Sequence, residues 1–128
     1  MPCYDWDRYR GFAKEIYNLD TVFDHETRIR NSISRYFYTA YHEAKLYALS
    51  RNLLKKTPQI RQKEVIDSFK NQQQPMNSIS KFLQRLKNKR EECDYDDDLE
   101  LTEKDMVEFY QTCISEAEQV IKILKKYP

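Results

Sequence analysis

The fold is decided by IRNSISRYFYTAYHEAKLYA, residues 29–48, the centre of a helix that the sequence predicts from about His25 to Leu54. At about 100° per residue, one side of this helix carries apolar and small side chains at three- and four-residue intervals. The small residues Ala40 and Ala44 within that stripe allow another helix to approach closely. The predicted core stripe consists of Ile29, Ile33, Phe37, Ala40, Ala44, Tyr47 and Ala48.

The opposite side of the same helix mixes charged, polar and apolar side chains. A helix that only covers a core presents a polar outer face, whereas a helix that is apolar on two sides is usually packed between two partners. Leu46 and Leu49 therefore predict a dimer interface on this second face. The face consists of Arg28, Asn31, Arg35, Tyr38, Thr39, His42, Leu46 and Leu49.

The rest of the chain also predicts helices. One glycine and four prolines in 128 residues are too few for the frequent turns of a sheet protein. Helical patterns cover about Asp5–Asn18, Pro58–Lys70, Asn77 or Ser78 to Cys93, and the segment after Thr102, where Thr102 resembles a capping residue. We therefore predict an all-α, up-and-down bundle of about five helices around one long central helix, formed as a single domain by residues 1–128.

The first helix has a stripe that predicts packing on the core. It consists of Trp6, Tyr9, Phe12 (or Ala13) and Ile16. On the fourth helix the basic residues predict a solvated face, and the four-residue spacing of Arg90 and Asp94 predicts an ion pair. Those basic residues are Lys81, Arg85, Lys87, Lys89 and Arg90.

Charge and cysteine content exclude several classes of protein. A net charge of +1 argues against a protein that coats nucleic acid generally, although a locally basic groove remains open. No apolar run is long enough to span a membrane and the N-terminus lacks signal-peptide character, which predicts a cytoplasmic location. Three widely spaced cysteines, Cys3, Cys93 and Cys113, predict reduced thiols without a metal site, and no cofactor is expected.

Arg35 and His42 are the candidate catalytic residues. Seven residues separate their positions, so both side chains project from one side of the helix, roughly 10 Å apart along its axis. An imidazole of near-neutral pKa can exchange a proton with an attacking 2′-hydroxyl or a leaving oxygen, while a guanidinium stabilises charge that develops on phosphorus. The spacing alone is more typical of a surface or interface pair than of a catalytic one, so that interpretation stays open.

The run from Arg30 to Ala44, RNSISRYFYTAYHEA, closely resembles the long-helix signature of HEPN domains, small helical proteins of bacteria and archaea. Two further segments agree with that family. Residues 6–13 resemble its first helix, and residues 90–95, REECDY, resemble its Arg-x-x-small-Asp-Tyr segment. The resemblance spans nearly the whole chain and implies a dimeric helical bundle with metal-independent RNA cleavage in its active members.

The family motif, an arginine and a histidine with four to six residues between them, falls on Arg35 and His42, which have six residues between them. By this likeness His42 is the acid/base and Arg35 the phosphate partner. The resemblance implies a toxin or defence endoribonuclease that acts as a homodimer on single-stranded RNA, often restrained by a nucleotidyltransferase-like antitoxin. The other polar residues of the face are predicted to contact the substrate: Arg28, Asn31, Tyr38 and Thr39.

A non-catalytic role remains the alternative. Many active members have Asn, Asp or His directly after the arginine, where this chain has Tyr36. The alternative is a HEPN interaction module that binds a nucleotidyltransferase-like partner or a nucleotide.

Overall fold

The long helix predicted at the centre of the chain contacts all four other helices. The structure is a computed structural model that describes residues 4–19, 24–95 and 103–127. Within these ranges every regular element is a helix, which confirms the all-α bundle. The elements are α1 (Trp6–Asn18), α2 (His25–Ser50), α3 (Gln62–Asp67), α4 (Ser78–Tyr95) and α5 (Glu103–Lys126).

Aspartate side chains begin the first two helices. The Asp5 carboxylate accepts a hydrogen bond from the Asp7 backbone N–H at 3.0 Å, and Asp24 accepts one from the Thr27 N–H at 2.8 Å. Each bond satisfies a backbone donor that has no partner inside its helix. Thr102, the capping residue predicted for the last helix, lies outside the described residues.

The core forms around the apolar stripe of α2. Six of its seven predicted residues are fully buried, among them Ala40 and Ala44, which allow α2 to pack against its neighbours at short range. The seventh, Tyr47, is half-buried, and its hydroxyl donates a hydrogen bond to the Tyr127 carbonyl at 2.6 Å. Burial of this stripe supplies the main driving force for the fold.

The second helix ends at Ser50, four residues before the predicted end. Asn52 adopts a left-handed backbone conformation with φ of 59°. Its N–H donates to the Leu49 carbonyl at 3.3 Å, and the Leu53 N–H donates to the Ala48 carbonyl at 2.9 Å. These two bonds form a Schellman motif, a helix end for which asparagine is suited.

The third helix is much shorter than predicted. It spans six residues, and turns occupy most of the flanking sequence that the pattern assigned to helix. The Glu64 carboxylate accepts a hydrogen bond from the Arg61 N–H at 3.3 Å and so fixes the helix start. Val65, Ile66 and Phe69 are nonetheless buried, so this short segment contributes three side chains to the core.

Candidate functional site

Helix α1 lies alongside the face of α2 that carries Arg35 and His42. At the start of α1, Trp6 stacks on His42. In the middle of α1, the ring of Phe12 lies under the guanidinium of Arg35. The two helices are therefore antiparallel. Both candidate side chains are half-buried against aromatic rings of the same chain rather than fully solvated.

The imidazole of His42 is enclosed by aromatic side chains. Its ring centroid lies 3.7 Å from that of Trp6, with the two planes 5° apart. Tyr41 approaches edge-on at 5.0 Å, and Tyr38 lies at 6.3 Å. This burial, with a smaller contribution from the positive charge of Lys45, lowers the pKa of His42 to about 4. The sequence-based expectation of a near-neutral pKa is therefore wrong for this arrangement, in which the imidazole is neutral at pH 7.

The guanidinium of Arg35 has unused hydrogen-bonding capacity. Its central carbon lies 5.8 Å from the ring centroid of Phe12, a cation–π contact. Its Nε atom is buried and has no hydrogen-bond partner within the described part of the chain. Buried N–H donors are rarely left without an acceptor, but the burial of this atom keeps an outside ligand from reaching it, so the atom by itself does not mark an anion site.

The predicted substrate contacts fall into two groups. Asn31 and Tyr38 are half-buried on the face, and the Asn31 amide donates to the Thr27 carbonyl at 2.9 Å. Arg28 donates to the Tyr17 carbonyl and lies 5.9 Å from the centroid of that ring. These residues line the accessible surface beside Arg35.

Thr39 does not belong to this surface. The side chain is fully buried and its hydroxyl donates to the Arg35 carbonyl at 3.0 Å. At this position the helix turns the side chain toward the packed side of α2, where no ligand reaches it. Its predicted substrate contact is therefore wrong for this structure.

The two leucines predicted at a dimer interface lie beside separate grooves. Leu46 lines one of about 660 Å³ between α2 and α5. Leu49 lines another of about 400 Å³ at the end of α2. Both side chains are half-buried in the single chain. Whether a second subunit covers them stays a prediction.

Sequence reasoning missed the fixed role of Arg90 in supporting this face. Only 5% of Arg90 is exposed, and its guanidinium carbon lies 5.1 Å from the Phe37 ring centroid and 5.5 Å from that of Tyr38. Asp94 accepts a hydrogen bond from Ser34 at 3.3 Å and pairs with Arg90 at 3.6 Å, which confirms the predicted ion pair. Arg90 therefore packs against the Tyr38 ring and supports its position.

The basic face predicted for α4 is not uniformly solvated. Lys89 Nζ lies 2.5 Å from a carboxylate oxygen of Glu116, which is itself buried. Lys89 therefore links α4 to α5, and the buried Arg90 packs against Phe37 of α2. Lys81 and Arg85 are exposed, as predicted.

The first helix also differs from prediction in its apolar stripe. Ala13 is fully buried, whereas Trp6, Tyr9 and Ile16 are half-buried and Phe12 is 50% exposed. Helical periodicity identified which residues face α2, but Trp6 and Phe12 face its mixed side. Their contacts with His42 and Arg35 carried no sequence signal of their own.

Comparison of the chain with protein-family models, with curated proteins and with solved structures finds no significant match. Among the described helices, none combines the length and apolar character needed to cross a bilayer. The described residues also contain no cluster of three or more His, Cys, Asp or Glu side chains placed to hold a metal ion.

Proposed function

We propose that this chain is a metal-independent endoribonuclease of toxin or defence type, which acts as a homodimer on single-stranded RNA. The observation that carries the proposal is the placement of half-buried Arg35 and His42 on one side of α2. The resemblance of residues 30–44 to HEPN domains supports the same assignment.

In the proposed reaction the 2′-hydroxyl of the RNA attacks the adjacent phosphorus. Neutral His42 accepts the hydroxyl proton as the O2′–P bond forms and the P–O5′ bond breaks. Arg35 stabilises the negative charge that builds up on the phosphoryl oxygens. The proton then passes to the leaving O5′, so the products are a 2′,3′-cyclic phosphate and a 5′-hydroxyl end. A pKa of about 4 keeps His42 unprotonated at neutral pH, as the base role requires, but it makes His42 a weaker base than an imidazole of ordinary pKa.

A second copy of the chain has an accessible surface to pack against. Tyr4, just before α1, and Phe12, on α1, are about half exposed. Leu46 and Leu49 lie on the neighbouring face of α2. Two such faces meeting at a two-fold axis would form a cleft with two copies of the Arg35/His42 pair. The same dimer is compatible with a non-catalytic role, so dimerisation alone does not test the enzyme.

The alternative is a non-catalytic interaction module for a nucleotidyltransferase-like protein. The stack of Trp6 on His42 favours it, because the indole covers one side of the imidazole. This alternative predicts tight binding to the partner and no RNA turnover.

Cleavage of a labelled single-stranded RNA in the presence of EDTA separates the two functions. We compare the wild type with His42→Ala and Arg35→Ala, and use His25→Ala as the matched control because His25 is the other histidine of the chain. We expect loss of about 10²–10⁴-fold in rate for His42→Ala, the usual contribution of a general base. His25→Ala should cleave normally. Equal activity in all four proteins, or none in any of them, would discard the ribonuclease assignment.

A further inference from the structure

Charge is distributed very unevenly along this nearly neutral chain. Residues 44–63 contain six lysines and arginines and no aspartate or glutamate. Residues 44–90 as a whole contain twelve basic side chains against two acidic ones. The overall charge of +1 therefore conceals a basic half that is offset by acidic residues elsewhere in the sequence. Such a local excess attracts polyanions even when the net charge is near zero.

Part of this excess continues directly from the proposed catalytic face. Lys45 and Leu49 follow His42 by three and seven residues, so they share its side of α2. Helix α1 begins at Trp6, which stacks on His42, so the face beyond His42 extends past the start of α1. Lys45 is close enough to the imidazole for its positive charge to lower the pKa of His42.

The face leads into a groove where α2 ends. The groove has a volume of about 400 Å³ and is lined by Leu49, Asn52, Leu54, Lys55 and Lys56. The Schellman motif turns the chain here and brings the two lysines beside Leu49. Both lysines are exposed and form no ion pair with a described residue. Two adjacent uncompensated ammonium groups fit backbone phosphates, and apolar side chains beside them fit a base or sugar.

We propose that Lys45, Lys55 and Lys56 bind the backbone phosphates of the single-stranded RNA segment that extends from the Arg35/His42 site. This phosphate track rests on the proposed function for the identity of the polyanion. It adds the direction in which the substrate leaves the site, toward the C-terminal end of α2. It also assigns substrate binding to lysines of the residue 52–56 turn and not to the basic residues of α4, of which Lys89 and Arg90 are already paired.

The competing occupant is an acidic segment of a second copy. Seven acidic residues lie between Glu91 and Glu100, and a chain with a basic half and an acidic run could associate head to tail. RNA is favoured because the track begins at the residues that the proposed reaction uses, and because an extended strand carries a charge at every nucleotide. The experiment below therefore measures self-association as well as RNA binding.

The test measures binding of a fluorescein-labelled single-stranded RNA by anisotropy over a range of salt concentrations. All proteins carry His42→Ala and the buffer contains EDTA, so that the RNA stays intact if the chain is catalytic. The test variant is Lys45→Ala/Lys55→Ala/Lys56→Ala. The matched control is Lys14→Ala/Lys122→Ala/Lys126→Ala, which removes the same charge from three exposed lysines outside the track. Circular dichroism checks that both variants remain helical.

The track variant should bind RNA roughly 10- to 100-fold more weakly at 0.1 M salt, with the slope of log K against log salt smaller by about 2. The control variant should bind within about twofold of its parent, since non-contacting charges contribute little at this ionic strength. Equal weakening in both variants, or no RNA binding by the parent, would overturn the phosphate track. So would salt-sensitive self-association, measured by sedimentation velocity, that is lost in the track variant while RNA binding is unchanged. Track-dependent binding without cleavage by the wild type would support the track and reject only the proposed catalysis.

Discussion

The indole of Trp6 lies flat on the imidazole of His42, with ring centroids 3.7 Å apart and planes 5° from parallel. This contact joins the first turn of α1 to the later half of α2. It also removes the imidazole from water on one side, so that its protonated form loses hydration that the stack does not replace. The ionisation of His42 is therefore set by the position of α1.

Replacing Trp6 with leucine should raise the pKa of His42. The smaller side chain exposes the imidazole, so the pKa should move from about 4 toward the ordinary value near 6.5. Titration of the imidazole C–H signals by NMR measures the shift, and with two histidines in the chain the assignment is simple. Phe12→Leu, which alters the same helix beside Arg35, should leave the His42 titration in place. An unchanged pKa in Trp6→Leu would show that other contacts bury the imidazole.

His42 should make the protein less stable in acid. Its folded pKa of about 4 lies below the unfolded value near 6.5, so between these pH values the unfolded chain binds a proton that the folded chain does not. The free energy of unfolding therefore falls as pH decreases from about 6.5 to 4, by up to about 3 kcal/mol from this one group. Urea unfolding at several pH values should show a weaker pH dependence for His42→Gln. Parallel pH curves for the two proteins would contradict the lowered pKa.

Ser32→Ala should destabilise the packing of three helices. The Ser32 hydroxyl donates to the Ala13 carbonyl of α1 at 2.8 Å and lies 2.8 Å from the Tyr110 hydroxyl of α5. Because these groups are buried, alanine leaves both without this partner, at a cost of about 1–3 kcal/mol by urea unfolding. Ser50→Ala, which removes an exposed hydroxyl of α2, should change the free energy of unfolding by less than about 0.5 kcal/mol. Similar costs for the two variants would argue against the buried bond.

Lys89→Met should cost more than Lys87→Met on the same helix. Lys89 compensates the buried carboxylate of Glu116 at 2.5 Å, whereas Lys87 pairs at 3.8 Å with Glu91, which is largely exposed. Losing the first cation leaves the buried Glu116 carboxylate with the more distant Arg85, at 3.8 Å, and we expect about 1–3 kcal/mol of destabilisation after allowing for partial solvation. Losing the second should cost less than about 0.5 kcal/mol. Urea unfolding of both variants at neutral pH measures the difference.

The two described cysteines should not react in the folded protein. Burial raises the pKa of the Cys93 and Cys113 thiols to about 12, and at most 5% of either side chain is exposed. Iodoacetamide at mildly alkaline pH should therefore leave both unmodified in a Cys3→Ser variant, as read by mass spectrometry. Addition of denaturant should make both reactive. Rapid modification of the folded variant would show that the α4–α5 packing opens readily.

Much of the fold follows from the sequence because periodicity and composition act locally. The stripe from Ile29 to Ala48 specified the packed side of α2, and the scarcity of glycine and proline specified helices on either side of it. The same reasoning predicted an end of α2 four residues too late. The helix ends where Asn52 adopts a left-handed conformation, and that conformation depends on two backbone hydrogen bonds that form only when the chain turns. It also made α3 too long, where apolar spacing continues through non-helical turns.

The sequence by itself determined that Arg35 and His42 share one side of a helix, because seven residues make two turns. Only the tertiary structure decided what surrounds them. It placed Trp6 against the imidazole and Phe12 against the guanidinium, buried Thr39, and fixed Arg90 behind Tyr38. These contacts join residues far apart in the chain, and the pKa of His42 depends on the desolvation they impose. Local spacing sets the direction of a side chain, whereas packing between helices sets its solvation and therefore its chemistry.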